Sequence, residues 1–360
     1  MRLFLNVSNV KKKLLRLITV LVILGVVFSP TSALAWSGKG HVIITRMAVK
    51  LLVDDPNIPS ELKAILLEGL DDKNKLTQFE AYINNTNNLR NFDAGLDSFS
   101  VRPDKLTALK SPIPAFGIDE PLTHYLDTEF FHPDPTKQKF LPDGSSKIKP
   151  TDLPRNSKDE RYLKAGFITF RTEQCYKSLV QSLRENYSND QVFLWMGYLS
   201  HYVGDSYQPF HSTIDYQGHE CPCNQKREKK HNLHGDLEGL LFEDSSKVGQ
   251  ENREKFLRHF QQTVTKLNEN KKQENIDPYF LVIDALLSGY DYLPMLCRAG
   301  NVALGKEKLD ANTWFNYKEK IADREISVLE IKAERMAEST IKLRNLIIQA
   351  WNEAQSKKVH

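Results

Sequence analysis

Residues 190–211 read Asp-Gln-Val-Phe-Leu-Trp-Met-Gly-Tyr-Leu-Ser-His-Tyr-Val-Gly-Asp-Ser-Tyr-Gln-Pro-Phe-His. From Val192 to Val203 this run carries no Asp, Glu, Lys or Arg and is largely apolar. It therefore predicts a buried helix over Asp190–Asp205. His201 and Asp205 stand four residues apart, so one face of that helix presents both. An isolated carboxylate inside a protein costs several kcal/mol unless it is paired or bound to a cation. Pro209 ends the helix soon afterwards and lets the following turn swing His211 toward the same neighbourhood.

Working outward, a second helix-borne pair follows at His234 and Glu238, again four apart. Asp236 points to the opposite side of that short helix, expected over Asn232–Phe242. Upstream, apolar spacing predicts helices at His41–Val53 and from Ser60 to Leu70, with Ser60 as N-cap. Residues 71–158 hold little periodicity and much Asn, Asp, Pro and Gly, a long irregular stretch of the kind that tends to carry function. Asp159–Glu185 reads as one helix, and further helical patterns cover 251–268, 278–288 and 316–354. With strand signals nearly absent and no internal repeat, the expected class is all-α, a single multi-helix domain with long irregular loops.

The first 35 residues are expected to be a signal peptide. Lys11, Lys12, Lys13 and Arg16 form a basic region, Leu17–Phe28 an apolar one, and Ala33-Leu34-Ala35 a small-x-small cleavage site. The apolar run falls short of the roughly 20 residues a membrane span needs. Cleavage would leave Trp36 first in a domain covering 36–360 and send the protein to the periplasm or outside the cell. The whole chain has 49 Lys plus Arg and 46 Asp plus Glu. Removing the five basic residues of the leader leaves 44 against 46, so no basic nucleic-acid surface is indicated. An exported chain can form disulfides among Cys175, Cys221, Cys223 and Cys297, in a pairing the sequence leaves open.

Two further places could complete a metal site. His124, in Thr123-His124-Tyr125-Leu126-Asp127, lies within the irregular region. In Trp36-Ser-Gly-Lys-Gly-His41 the glycines let the chain fold back, and a freed α-amine loses its proton easily to a metal. Imidazole and carboxylate donors together suit zinc among the common hydrolytic metals.

Assembled, these motifs resemble the superfamily that unites single-strand-specific zinc nucleases of the mung bean nuclease type with bacterial zinc-dependent phospholipase C. The resemblance runs in order along nearly the whole mature chain: Trp36 to His41 followed by a helix, His201 through His211, Asn232-Leu233-His234, and Lys332-Ala-Glu-Arg-Met-Ala337. It implies a trinuclear zinc cluster. One Zn2+ would take Asp104, His124, His201 and Asp205, and a second His211, His234 and Glu238. The third would take the amine and carbonyl of Trp36, His41 and a bridging oxygen of Asp205. Asp104 is chosen because Arg102-Pro-Asp-Lys105 looks like a Trp-Pro-Asp-Lys stretch of bacterial relatives; Asp93, Asp97 and Asp119 are alternatives. Glu238 departs from the nuclease pattern, which has Asp there, and agrees with the phospholipases.

The resemblance further implies that Asp104 and Asp205 act in catalysis, that Tyr125 stacks on a base and Asp127 hydrogen-bonds it, and that Lys105 or Lys110 replaces a phosphate-binding arginine. Lys39 stands where the phospholipases have an acidic residue near the N-terminus. The expected function is a monomeric exported hydrolase, a zinc-dependent phosphodiesterase cleaving single-stranded nucleic acid, of endonuclease and 3′-nucleotidase type, without a stable protein partner. Phospholipid head-group cleavage is the alternative, and a non-catalytic zinc-binding structural protein is an alternative of another class.

Overall fold

The computed structural model describes residues 36–70, 95–105, 120–269, 275–305 and 308–356. The expected signal peptide lies outside them, as do Asp93, Lys110, Asp119 and the side chain of Lys105. The described residues are mostly helical.

The chain enters through α1 (Ser37–Asp54) and α2 (Ser60–Glu68). Ser60, expected as an N-cap, is the first helical residue instead. Pro59, with its ring-fixed φ near −54°, takes the flanking position, and the Ser60 hydroxyl turns to Glu61. The irregular stretch contains α3 (Leu96–Val101) and short 3₁₀ turns, including Glu120–Thr123 and Thr128–Phe131.

The single helix expected over Asp159–Glu185 is two. A turn at Tyr162–Ala165 stops at Gly166, and α4 (Ile168–Arg184) begins after it. Gly166 has φ +107°, a region that L side chains rarely adopt, and a Cβ there would lie 2.2 Å from the Tyr125 carbonyl oxygen. The break lets the chain at 122–127 dock edge-on. Phe167 N donates to Leu122 O (2.7 Å), and Asp127 N donates to Ala165 O (2.6 Å).

Next comes α5 (Asn189–Ser206), the helix expected from the opening run, buried along most of its length. Its neighbours include α1, α3, α4 and the last helix. Residues 233–243 are helical as expected, but the middle, Asp236–Leu240, is a π-turn. Such turns leave carbonyls in altered positions and occur often at functional sites. Then follow α6 (Lys247–Glu269), α7 (Pro278–Tyr290) and α8 (Leu293–Ala303). Cys297 on α8 forms a disulfide with Cys221, which ties the loop after residue 212 to the helical body.

The last helix, expected from 316, starts at Val328 and runs to Ser356 as α9. The preceding residues form an antiparallel hairpin, β1 (Lys318–Ile321) with β2 (Arg324–Ser327). A capping box sets the helix start: Ser327 N donates to Glu330 Oε2 (2.7 Å), and Glu330 N to Ser327 Oγ (3.1 Å).

Because the Gly166 break fixes the 122–127 segment, Gly166→Ala should destabilise the protein by about 2 kcal/mol or more, through backbone strain and the clash with Tyr125. Urea denaturation checks this: an unchanged midpoint would contradict the role given to the break.

Candidate metal centre

The site is built outward from α5. Gly197 and Gly204 are two turns apart, and each lets another element approach. A Cβ on Gly197 would lie 2.4 Å from Phe99 Cβ, so α3 packs directly on the helix there. That contact carries the Ser100 carbonyl to His201, whose Nδ1 donates to it at 2.8 Å. The bond fixes the ring and leaves Nε2 of His201 facing inward. A Cβ on Gly204 would meet His41 Nδ1 at 3.0 Å. With hydrogen there, the His41 ring stacks on His201, centroids 4.1 Å apart.

Asp205 lies one turn after His201, fully buried. Its two oxygens face different rings. Oδ1 lies 3.2 Å from His41 Nε2, while Oδ2 lies 3.0 Å from His124 Nδ1 and 3.2 Å from His201 Nε2. Asp104 approaches the same rings, its Oδ1 3.6 Å from His201 Nε2 and 3.8 Å from His124 Nδ1. Of the alternatives to Asp104, Asp97 is committed elsewhere: Arg46 Nε donates to its two oxygens at 3.0 and 2.8 Å.

His124 is held by a buried ion pair that the sequence reading missed. Arg171 on α4 donates to both oxygens of Glu120 (2.8 and 2.9 Å), and the Tyr202 hydroxyl also bonds Glu120. Burial pushes the Glu120 carboxyl up, but the Arg171 charge and the Tyr202 hydroxyl outweigh it and hold it below its ordinary value. Thr123 Oγ1 closes this turn on the Glu120 carbonyl at 2.7 Å. The turn delivers His124, whose carbonyl accepts from His211 Nδ1 at 2.6 Å, and Leu126 N returns a bond to His211 O at 2.9 Å.

His211 thus presents Nε2 to a second group. Its Nε2 is 3.1 Å from His234 Nε2 and 3.6 Å from Glu238 Oε1, and His234 contacts the same Glu238 oxygen. Gln208 also bonds that oxygen, through its Nε2 at 2.7 Å, while its own Oε1 caps Phe210 N. Asp236 pairs with His231, away from the group, as the helical spacing predicts. Tyr125 is half-buried, and burial together with the nearby Asp127 charge and Tyr216 pushes its phenol up to about 12. Asp127 is buried, and burial and Glu129 raise its carboxyl well above the ordinary range.

Three sets of donor atoms therefore lie close enough to hold metal ions: His41, Asp104 and His201; His124, His201 and Asp205; and His211, His234 and Glu238, each within 4.8 Å. The ionisable groups of the cluster shift one another: burial opposes protonation of His201, but Asp205 and Asp104 raise it to about 9. Burial, with Asp205 and Glu238 adding to it, pushes Asp104 up to about 8. Burial also opposes ionisation of Asp205, yet the histidines around it hold that carboxyl well below its usual value. Burial and the His201 charge lower His41 to about 4. Both oxygens of Asp104, Oδ1 of Asp205 and both nitrogens of His41 lack a hydrogen-bond partner among the described residues. Buried polar atoms are rarely left so, and cations would satisfy the carboxylate oxygens and one nitrogen of His41. Trp36 stands beside this cluster, buried, its indole Nε1 donating to Gly204 O at 2.7 Å.

No protein-family model matches the chain and no curated protein matches it; the donor chemistry stands on its own. That chemistry gives a direct expectation. Zinc at 100 times its dissociation constant should stabilise the folded protein by about 2.7 kcal/mol per site. Calorimetric melting with added zinc and then with a chelator tests it, and a melting temperature indifferent to both would rule the site out.

Proposed function

We propose that the chain is a zinc-dependent phosphodiester hydrolase of the nuclease and phospholipase C superfamily it resembles, and that its substrate is single-stranded nucleic acid or a 3′-nucleotide. The observation that carries this reading is the division of Asp205. Its Oδ1 addresses His41 while its Oδ2 addresses His124 and His201, the disposition of a carboxylate that bridges two cations. Asp104, His124, His201 and Asp205 would hold one zinc, His211, His234 and Glu238 another. Trp36, His41 and Asp205 would hold the third, once a leader ending at Ala35 is removed.

Zinc bound at such a site lowers the pKa of a coordinated water toward neutrality and polarises phosphoryl oxygens. The chain's own residues would do the rest. Ser100 O and His124 O orient His201 and His211 by accepting their Nδ1 protons. Gln208 holds Glu238 in place from the side. Tyr125, with Asp127 two residues on, offers an aromatic face and a buried carboxyl for a splayed base, and stacking on an aromatic favours single strands over duplex.

Glu238 favours one second reading, phospholipid cleavage, since the phospholipases have Glu at this position where the nucleases have Asp. Parallel assays on single-stranded DNA, RNA, 3′-nucleotides and phosphatidylcholine vesicles separate the two. Nucleic acid should be the substrate, and vesicle hydrolysis alone would replace this reading with the second. Asp205→Asn, which removes the bridging charge without changing size, should lower kcat at least about 10³-fold and lower zinc content. Activity that survives thorough chelation would end the proposal.

A further inference from the structure

Lys332 sits in the second turn of α9 with no exposed surface, among the buried Ile331, Ala333 and Met336. Its ammonium has no carboxylate within ion-pair distance among the described residues. Instead Nζ donates to two main-chain carbonyls of the π-turn, Leu237 O at 2.5 Å and Glu238 O at 2.8 Å. It also lies over two aromatic rings, 4.7 Å from the centroid of Phe242 and 5.3 Å from that of Trp36.

A buried ammonium is expensive, and an apolar side chain of the same length would fill this space at less cost. What the cation provides is a donor that reaches carbonyls displaced by the π-turn, together with attraction to two ring faces. Both contacts bear on candidate ligands. One fixes the main chain of Glu238 itself. The other presses on the ring of Trp36, which is seated between α1 and α9: a Cβ on Gly40 would lie 2.7 Å from Trp36 Cβ and 3.5 Å from Met336 Cε. Lys332 thus touches both the Glu238 turn and the residue proposed to begin the mature chain.

We propose that Lys332 is a positioning residue for the metal centre, holding the Glu238 turn and the Trp36 ring in register so that the group His211, His234 and Glu238 keeps its geometry. This rests on the metal-site reading given above. Outer groups that orient ligands typically change metal affinity 10- to 100-fold when removed.

The test uses cobalt(II) as probe on the chain beginning at Trp36, stripped of metal, with binding isotherms and visible d–d absorption as readouts. For Lys332→Met we expect the cobalt equivalent at His211, His234 and Glu238 to bind at least about 10-fold more weakly, with an altered d–d band, the equivalent at Trp36 and His41 to weaken less, and the one at Asp104, His124 and Asp205 to stay unchanged. Lys332→Arg keeps a cationic donor toward the carbonyls and should recover most of the affinity and the wild-type band. Should Lys332→Met fail to fold by circular dichroism, Lys332→Gln, uncharged but still a donor, takes its place and should show a smaller loss in the same equivalent. Identical isotherms and spectra for wild type and the folded variant overturn the role of Lys332 alone. A wild-type protein that takes up no cobalt overturns the metal reading and this proposal together.

Discussion

Asp205 puts a carboxylate inside the helix around which much of the protein packs, and the neighbouring elements are shaped by what that carboxylate needs. Burying it without partners would cost several kcal/mol, a large share of the stability of an ordinary domain. The surroundings answer with three imidazoles, one from α1, one from the 120–124 turn and one from α5 itself. Each approach depends on a feature with no chemistry of its own. Gly204 clears room for His41, Gly197 admits α3 and its Ser100 carbonyl, and Gly166 lets the segment carrying His124 dock.

The same arrangement explains why the two neighbouring carboxylates differ. Asp104 has no hydrogen-bond partner among the described residues and is driven toward the neutral form, whereas Asp205 is held ionised by the rings. Two carboxylates this close cannot both be charged in a dry interior without positive charge between them. Burial opposes protonation of His201, but Asp205 and Asp104 raise it to about 9, so its charge supplies part of this, whereas His41 is pushed the other way, to about 4. Bound cations would stabilise every carboxylate and require only neutral imidazoles.

The sequence made α5 legible because an uncharged apolar run with His and Asp on one face has few other readings. His234 and Glu238 were readable for the same reason, a four-residue spacing that survives on a helical segment even though its centre is a π-turn. Where the reading failed, the cause was tertiary. Asp159–Glu185 has an unbroken polar and apolar pattern, and the only mark of its division is Gly166, whose φ is demanded by a carbonyl 41 residues earlier. The hairpin before α9 was hidden because two four-residue strands of mixed charge carry too little periodicity to be distinguished from helix. The pair Glu120–Arg171 spans an irregular turn and a helix, so no local spacing announces it. Lys332 did leave a trace, a charge set between Ile331 and Ala333 on the buried stripe of the last helix.

The distribution of donors also bears on whether a bound metal would serve structure or chemistry. A structural zinc site usually draws on cysteines in a closed shell. Here Cys221 and Cys297 are spent on a disulfide, and Cys175 and Cys223 take no part in the three donor groups. The donors are imidazoles and carboxylates, and next to them stand Tyr125, half-buried, and Tyr216, about two-fifths exposed, whose ring meets His234 edge-on. Ligand rings oriented by carbonyls, carboxylates shared between groups and aromatics at the edge are the features on which the proposed hydrolytic reading rests.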